Sequence, residues 1–344
     1  MNKLKVIQVG AGRFGQSWLK NILNYPHADL VAVVDMLPEN LNQVMISTGL
    51  NKHQLFTRID DAFENVAADL VLIVTPPKTH KEIAVEALNR GFHIMLEKPL
   101  AHTYEEAIQL LEMSRINDRK ICVSQNYRWR TPILTIKNLI SSQNIGNISY
   151  IEYQFRKSIK FGGWRDEYEE ILIQDMSIHH FDIMRFLLGK EPEEIIAQSF
   201  SPSWSWFKGN PVASVFIRFH DDIFVNYFGS WVSRGQETSW NGDIRIVGEK
   251  GAVELINDKV YLYPLTYTQG SKPVEITPVK TLYDDRTASL HNMVESIHKD
   301  IRPLTSIEDN IYSFELTCAA IESARQGKKV SMKTFSQVNT SSGP

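Results

Sequence analysis

A glycine-rich turn near the start of the chain constrains the fold more than any other feature. Gly10, Gly12 and Gly15 form a G-x-G-x-x-G pattern between an apolar run, Leu4–Val9, and a helical pattern over residues 14–24. The first glycine permits a tight turn, the second lets the backbone approach a pyrophosphate, and the third allows the helix to pack closely on the strand. The start of such a helix also presents free N–H groups to phosphates. The pattern therefore predicts a dinucleotide-binding unit.

The sequence up to residue 126 alternates short apolar runs with helical patterns. Strands are predicted at Leu4–Val9, 30–35, 70–75, His93–Glu97 and Ile121–Ser124, and helices at 14–24, 38–47, 79–89 and 104–117. Strands that are apolar throughout and separated by helices are typical of a parallel sheet covered on both faces. We therefore expect residues 1–126 to form a doubly wound α/β domain.

The remaining sequence has a different pattern, with consecutive strands joined by short links. These strands are predicted at 149–155, 194–200, 213–220, 223–232, 243–247, 252–255 and 259–263, and helices at 133–141, 174–188, 287–299 and 307–325. Consecutive strands favour an antiparallel sheet. We expect an α+β domain over residues 127–334, leave open a return of the C-terminal helix to the first domain, and expect the polar tail 335–344 to be disordered.

An acidic residue indicates which dinucleotide binds. Asp35 ends the second predicted strand, about 20 residues after Gly15. Its carboxylate can accept hydrogen bonds from the adenosine ribose and would repel a 2′-phosphate, and no basic residue follows at 36–39. We therefore predict NAD rather than NADP. The residues expected to contact this part of NAD are Gly10, Gly12, Arg13, Phe14, Gly15, Asp35 and Met36.

Composition excludes several other classes of protein. The formal net charge of −3 and the isoelectric point near 6.4 provide no basic field for nucleic acid. No window has the roughly 20 apolar residues that a membrane-spanning helix requires. A strand pattern begins almost at once, so no signal peptide is expected. Cys122 and Cys318 lie in apolar stretches, which favours reduced thiols in the cytoplasm and no cysteine-based metal site.

Three further motifs follow the glycine turn. Thr75-Pro76 and His80 lie at and just after the end of the predicted strand 70–75, Glu97-Lys98-Pro99 ends the strand at residues 93–97, and Asp175-x-x-x-His179 lies in the second domain. With these motifs in this order, the chain resembles the Gfo/Idh/MocA oxidoreductase family over nearly its whole length. The resemblance implies a Rossmann domain followed by a domain built on an open, mostly antiparallel sheet.

The resemblance also implies a set of site residues. It makes Lys98, Asp175 and His179 the catalytic residues, and it places Thr75, Pro76, His80, Glu97, Lys98 and Asn126 on the nicotinamide side. Oxidation of a secondary alcohol needs a group that removes the hydroxyl proton, for which an imidazole is suited, and a cation can stabilise the developing alkoxide. The implied activity is hydride transfer between NAD and a hydroxyl-bearing carbon of a sugar or polyol, such as an inositol. The stretch 168–171 departs from the family, because many members have paired glycines there.

Each catalytic candidate also has a structural interpretation. Helical spacing places Asp175, His179 and Asp182 on one face. Asp175 could instead cap the helix, His179 could be a hydrogen-bonded core residue, and Lys98 could be a solvated lysine at a strand end. For Asp182 we favour a structural role.

Aromatic and basic residues around these motifs are candidates for substrate and subunit contacts. Arginine and aromatic side chains can bind hydroxyls or stack on a sugar ring, so we expect substrate contacts from Tyr127, Arg128, Trp164 and Arg165, although loop tryptophans more often pack in the interior. Aromatic residues on the second sheet favour a homodimer or homotetramer.

Some proteins with this fold are not simple dehydrogenases. An enzyme that cleaves glycosides by transient oxidation with bound NAD would need the same lysine and histidine. A non-catalytic, NAD-binding sugar sensor would be expected to have lost Lys98 or His179, and both are present.

Overall fold

The structure is a computed structural model that describes residues 2–340, apart from the side chains of Trp164 and residues 338–340. The chain divides into two compact units. The first comprises the residues up to Asn126 together with Tyr283–Ile311, and the second comprises Tyr127–Leu282 and the residues from Tyr312 on. The sequence-based division at 126/127 thus has a counterpart in the structure, whereas 283–311, predicted to lie in the second domain, belongs to the first unit.

The first unit contains a parallel sheet. Its elements up to residue 126 are β1 (Leu4–Val9), α1 (Arg13–Leu23), β2 (Ala28–Val34), α2 (Pro38–Thr48), β3 (Leu55–Phe56), α3 (Ile59–Asn65), β4 (Leu70–Ile73), α4 (His80–Asn89), β5 (His93–Glu97), α5 (Tyr104–Ile116) and β6 (Ile121–Ser124). In the described chain the strand order is β3-β2-β1-β4-β5-β6, and every pairing is parallel. This is the doubly wound order, with its switch point between β1 and β4.

The second unit contains a larger mixed sheet. The chain continues with α6 (Thr131–Ser141), β7 (Ile148–Arg156), α7 (Ile178–Leu188), β8 (Pro192–Phe200), β9 (Val212–Phe219), β10 (Ile223–Ser230), β11 (Asp243–Gly248), β12 (Gly251–Ile256), β13 (Lys259–Pro264) and β14 (Val274–Glu275).

The last elements are α8 (Asp285–Lys299), α9 (Ile307–Gln326), β15 (Val330–Ser331) and α10 (Met332–Thr340). Within residues 2–340 the strand order of the larger sheet is β14-β13-β12-β11-β7-β10-β9-β8-β15, and only the pairing of β7 with β10 is parallel. The predicted fold class, a Rossmann domain followed by an open and mostly antiparallel sheet, is confirmed.

Helix α8 returns the chain to the first unit. Its Leu290, Met293 and Val294 share an apolar core with Trp18 and Leu19 of α1. The returning helix is therefore α8, whereas α9 lies mostly in the second unit.

The structure differs from the sequence-based expectation in short elements and at the C-terminus. Strand β3 was not predicted, because a two-residue strand is too short to show a hydrophobic period. Helix α3, of seven residues, was not predicted either. Residues 335–340, expected to be disordered, continue helix α10, and residues 341–344 lie outside the described residues. None of the described helices combines the length and the apolar character needed to cross a bilayer.

Candidate functional site

The three glycines of the G-x-G-x-x-G turn serve different purposes. Gly10 has a φ of +97°, and a Cβ there would lie 2.4 Å from the carbonyl oxygen of Val74. A Cβ on Gly15 would lie 2.3 Å from the carbonyl oxygen of Gly10. By contrast, a Cβ on Gly12 would meet no described atom within 4 Å. Gly10 and Gly15 are thus required for packing, and Gly12 leaves open space beside the start of α1, as close approach of a pyrophosphate requires.

A buried glutamine stabilises the glycine loop by hydrogen bonds. The Nε2 of Gln8 in β1 donates to the carbonyl oxygens of Gly10 and Gly15, at 2.8 Å and 3.0 Å. Gln8 could not be recognised from the sequence, because a polar residue inside an apolar strand shows no partner there. The first turn of α1 exposes Arg13 and Phe14.

Asp35 lies immediately after β2 and is joined to the glycine loop. Its Oδ2 accepts a hydrogen bond of 2.6 Å from the backbone N–H of Ala11, and its Oδ1 accepts from the backbone of Leu37 and the side chain of Asn40. A carboxylate has about four acceptor positions. It therefore keeps capacity for a ribose hydroxyl, and the neighbouring Met36 is exposed.

At the end of β5 a tryptophan orients the glutamate that precedes Lys98. The indole N–H of Trp18 donates to Glu97 Oε1 at 2.7 Å, and Glu97 Oε2 accepts from the backbone N–H of Lys98 at 3.2 Å. Burial raises the pKa of Glu97, and the hydrogen bond from Trp18 partly opposes that shift. The arrangement fixes the backbone from which the partly buried Lys98 projects. Nothing in the sequence indicates this role of Trp18.

His80 joins two loops instead of presenting its ring to a ligand. The ring is fully buried, with Nδ1 2.9 Å from the carbonyl oxygen of Pro99 and Nε2 2.9 Å from that of Thr75. Burial lowers the pKa of His80, while these carbonyl contacts raise it in part. The predicted nicotinamide contact of His80 is thus replaced by support for the loops that carry Thr75, Pro76 and Lys98. Thr75 accepts a 2.8 Å hydrogen bond from Thr79, and Pro76 is exposed.

Asn126, the last of the residues predicted to lie on the nicotinamide side, follows β6. Its side-chain amide donates to the carboxylate of Asp285, the first residue of α8. The start of α8 therefore lies beside a residue expected to line the nicotinamide side.

In the second unit, the segment that carries Asp175 is helical from Ile171 on but contains a π-helical turn over Ile173–Ser177. Turns of this kind are frequent at functional sites. Asp175 lies inside the helix, which excludes its interpretation as a helix cap. Its Oδ1 accepts a 3.1 Å hydrogen bond from Nε of Arg165, in a pair whose carboxylate is largely buried.

His179 lies at the start of α7 against an aromatic ring. The ring of Tyr127 stacks on it with centroids 4.2 Å apart and an interplanar angle of 13°. The guanidinium of Arg130 lies 3.3 Å from the centroid of the Tyr127 ring. Stacking on both sides of Tyr127 fixes the plane of the imidazole. Tyr127 was predicted as a substrate contact, and Arg130 was not predicted.

Arg128 and Asp182 form a buried ion pair. The Nε of Arg128 donates to Oδ2 of Asp182 and its Nη2 donates to Oδ1, each at 2.6 Å, and the two side chains are only 3% and 1% exposed. Ser313 also donates to Asp182, at 2.6 Å. The substrate contact predicted for Arg128 is not supported, because its guanidinium is engaged in the interior. The structural role favoured for Asp182 agrees with this geometry.

His180, next to the candidate base, is a core residue. It is fully buried between the hydroxyl of Tyr227, 3.1 Å from Nδ1, and the carbonyl oxygen of Trp240, 3.3 Å from Nε2. A neutral ring satisfies both contacts by accepting at Nδ1 and donating at Nε2. Burial lowers the pKa of His180 to about 3.

The stretch that departs from the family pattern is packed on a neighbouring loop. The side-chain amide of Asn210 donates to Glu170 at 2.8 Å, and the backbone N–H of Asn210 donates to the carbonyl oxygen of Glu169 at 2.7 Å. A Cβ on Gly209 would lie 2.1 Å from the carbonyl oxygen of Tyr168. In this chain the glycine that allows close packing therefore belongs to the loop that contacts residues 168–170, and not to that stretch itself. Trp164, the remaining predicted substrate contact, has its side chain outside the described residues.

Comparison with known protein families shows to which family this chain belongs. Residues 4–125 match the family model described as the oxidoreductase family, NAD-binding Rossmann fold, and residues 137–332 match the oxidoreductase family, C-terminal alpha/beta domain. The chain belongs to the Gfo/Idh/MocA oxidoreductase family. It is thus an oxidoreductase with an NAD-binding Rossmann domain, and the glycine loop and Asp35 fit that cofactor.

Relatives that are named as sugar or polyol dehydrogenases resemble the chain over almost its full length. D-apiose dehydrogenase of Rhizobium rhizogenes is 27% identical, covering 96% of this chain and 98% of the relative. Inositol 2-dehydrogenase of Rhizobium meliloti is 25% identical, covering 94% and 98%. The fold is also that of an oxidoreductase from Agrobacterium radiobacter crystallised with NAD+, L-tartaric acid and magnesium, with a TM-score of 0.87, 23% identity, and coverage of 97% and 100%.

Proposed function

We propose that this protein is an NAD-dependent dehydrogenase that oxidises a secondary hydroxyl of a sugar or polyol, with an inositol-like ring as one candidate substrate. The observation that carries the proposal is the cluster in the second unit. It combines an imidazole held by ring stacking with a carboxylate held by an arginine, both on one helical segment. Relatives named as dehydrogenases of apiose and inositol support the same substrate class.

His179 is the proposed general base. Stacking on Tyr127 restricts rotation of the ring, so one ring nitrogen can be directed at a substrate hydroxyl. Bound NAD supplies the hydride acceptor. The part left to the protein is to take the hydroxyl proton and to hold the reacting carbon in place.

Asp175 and Arg165 are proposed to bind the substrate. The Arg165 guanidinium orients the carboxylate of Asp175, and a carboxylate oriented in this way can accept hydrogen bonds from substrate hydroxyls. Arg165 is partly exposed, and a guanidinium can donate hydrogen bonds to oxygen atoms of a sugar. Tyr127 positions His179, and Trp164 remains a candidate for stacking on a sugar ring.

Lys98 is proposed to act in hydride transfer, as the family resemblance implies. Its ammonium group would stabilise the negative charge that develops on the substrate oxygen. The hydrogen bonds from Trp18 to Glu97 and from Lys98 to Glu97 fix the backbone of this lysine. Thr75, Pro76, Glu97 and Asn126 are proposed to line the nicotinamide side.

The test is a substrate screen monitored by the absorbance of NADH. The purified protein is mixed with NAD or NADP and a panel of inositols, aldoses, sugar acids and glycosides. We expect NADH to accumulate with NAD and at least one polyol or sugar. Cleavage of a glycoside without net NADH would instead support the glycoside-cleaving alternative. Binding of NAD and a sugar without any turnover would support a sensor.

We also propose that a second copy of the chain covers the outer face of the larger sheet. This face of β7–β10 exposes apolar side chains that the sheet register places side by side, and two of them, Phe216 and Phe224, stack with centroids 5.5 Å apart. Its large apolar residues are Tyr150, Ile196, Phe216, Phe224 and Phe228. Exposed patches of this kind mark interfaces. A Phe216→Glu variant should shift the mass measured by light scattering to that of a monomer, and a wild type that is already monomeric would contradict the proposal.

Cys122 and Cys318 form no disulfide in the described part of the chain, which favours the cytoplasmic location that we propose and that cell fractionation would test.

A further inference from the structure

Helix α8 begins beside the glycine loop of the first unit. Asp285, its first residue, has a φ of +52° and accepts a hydrogen bond from Asn126. The next side chain, Arg286, extends to α1, where its Nη1 donates to Ser17 Oγ at 2.7 Å. Thr287 donates to Asn21 of the same helix at 3.1 Å. Three consecutive residues thus attach the start of α8 to elements that surround the cofactor site.

The guanidinium of Arg286 lies along the first two turns of α1. It lies 4.8 Å from the ring centroid of Phe14 and 5.8 Å from that of Trp18. Phe14 belongs to the G-x-G-x-x-G segment itself, and Trp18 holds Glu97 at the end of β5. The arginine therefore lies toward the β5 side of the glycine loop, away from Asp35 at the end of β2.

Arg286 forms no ion pair with a carboxylate among the described residues, although its charge partly opposes the rise that burial causes in the pKa of Glu97. Its side-chain hydrogen bond within the described chain goes to a neutral hydroxyl, although the side chain is partly buried. Partly buried cations are usually paired. Stacking on Phe14 fixes the plane of the guanidinium while its other N–H groups stay available, and a guanidinium fork fits the oxygens of a phosphate.

We propose that Arg286 binds the pyrophosphate of NAD. The free N–H groups at the start of α1, the open space beside Gly12 and this guanidinium would then surround the same two phosphates. The position of Arg286 on the β5 side assigns it to the pyrophosphate and not to a 2′-phosphate, which would lie beside Asp35. The inference depends on NAD, the cofactor of this family, and not on the proposed substrate.

The experiment compares ligands that differ in their phosphates. Binding of NAD, ADP-ribose and adenosine to wild type, Arg286→Gln and Arg286→Lys is measured by isothermal titration calorimetry at low and high salt. Arg302→Gln, an exposed arginine in the same unit, is the matched control for the change in charge.

We expect Arg286→Gln to weaken NAD and ADP-ribose about tenfold at low salt, less at high salt, and to leave adenosine unchanged. Arg286→Lys should lose only part of this affinity, because it keeps the charge but not the fork. Equal weakening of all three ligands would overturn the proposal, because it would mean that the variant disturbs the loop. Unchanged binding of NAD would overturn it too. If Arg286→Gln does not fold, the lysine variant decides, through the same comparison of ADP-ribose with adenosine.

Discussion

The cofactor half in the first unit and the candidate substrate half in the second are built on different principles. In the first, most binding groups belong to the backbone: three glycines, the free N–H groups of α1, and one carboxylate that the loop itself orients. In the second, every candidate group is a side chain placed by another side chain, as Tyr127 places His179 and Arg165 places Asp175. Backbone sites are therefore encoded in short contiguous motifs, whereas the second half depends on contacts between distant residues.

The strongest test of this comparison removes the imidazole. His179→Ala should lower turnover by about 10²- to 10⁴-fold, because the general base is lost. The dissociation constant for NAD should stay unchanged, because the groups expected to hold NAD lie in the first unit. Steady-state kinetics and calorimetry measure the two quantities. His220→Ala, which removes an exposed imidazole of the second unit, should leave both unchanged. Turnover of the wild-type rate in His179→Ala would contradict the role of His179.

A second test separates the two arginines of the substrate half. Arg128→Met should lower the free energy of unfolding by about 3–5 kcal/mol, because it leaves the buried Asp182 without its ion-pair partner. Arg165→Gln should cost about 1 kcal/mol or less, since Arg165 is partly exposed, but should raise KM for the substrate. Urea denaturation and kinetics provide the measurements. A raised KM with unchanged stability in Arg128→Met would restore Arg128 as a substrate contact.

The third test uses pH to probe the buried His180, the neighbour of the proposed general base. Burial holds the pKa of His180 at about 3, below its ordinary value of 6.5. Below pH 6.5 the unfolded chain binds a proton that the folded chain does not, so the free energy of unfolding falls as the pH falls from about 6.5 toward 3. Between pH 7 and pH 5 this group should account for about 2 kcal/mol. His180→Gln keeps a donor and an acceptor but does not titrate.

Urea denaturation of wild type and His180→Gln at both pH values isolates this contribution, because His80 and His93 titrate in both proteins. Equal losses of stability in the two proteins would show that His180 does not carry the effect.

The smallest expected effect concerns the glycine loop. Gly12→Ala should leave the free energy of unfolding nearly unchanged, because its Cβ meets no described atom within 4 Å, but should weaken NAD about tenfold or more. Gly10→Ala should mainly destabilise the fold, because of its positive φ and the nearby carbonyl of Val74. Calorimetry with NAD and urea denaturation separate the two outcomes. Loss of stability in Gly12→Ala would show that this glycine, too, is required for packing.

Much of the fold could be predicted from the sequence, because apolar runs, helical patterns and turn residues are local signals. The strands of both sheets were found except for the two-residue strands β3, β14 and β15. The π-helical turn at Ile173–Ser177 was not foreseen, since one extra residue in a helix does not disrupt a hydrophobic pattern enough to be recognised.

The site was predictable only where its groups are adjacent in sequence. Trp18 and Glu97, 79 residues apart, form a hydrogen bond that no motif shows. The segment 126–130 contains two arginines, and the sequence does not show which one faces the interior. In the structure Arg128 pairs with Asp182, 54 residues away, and Arg130 lies on Tyr127.

The return of α8 makes the order of synthesis matter for the first unit. A ribosome that has reached residue 126 has made every strand of the parallel sheet but not Leu290, Met293 and Val294, which share the core with Trp18 and Leu19. The whole stretch Tyr127–Leu282 must emerge before that core can close. The nucleotide-binding unit is therefore finished only when most of the chain has left the ribosome, and a fragment ending at residue 126 would expose apolar surface that the complete protein buries.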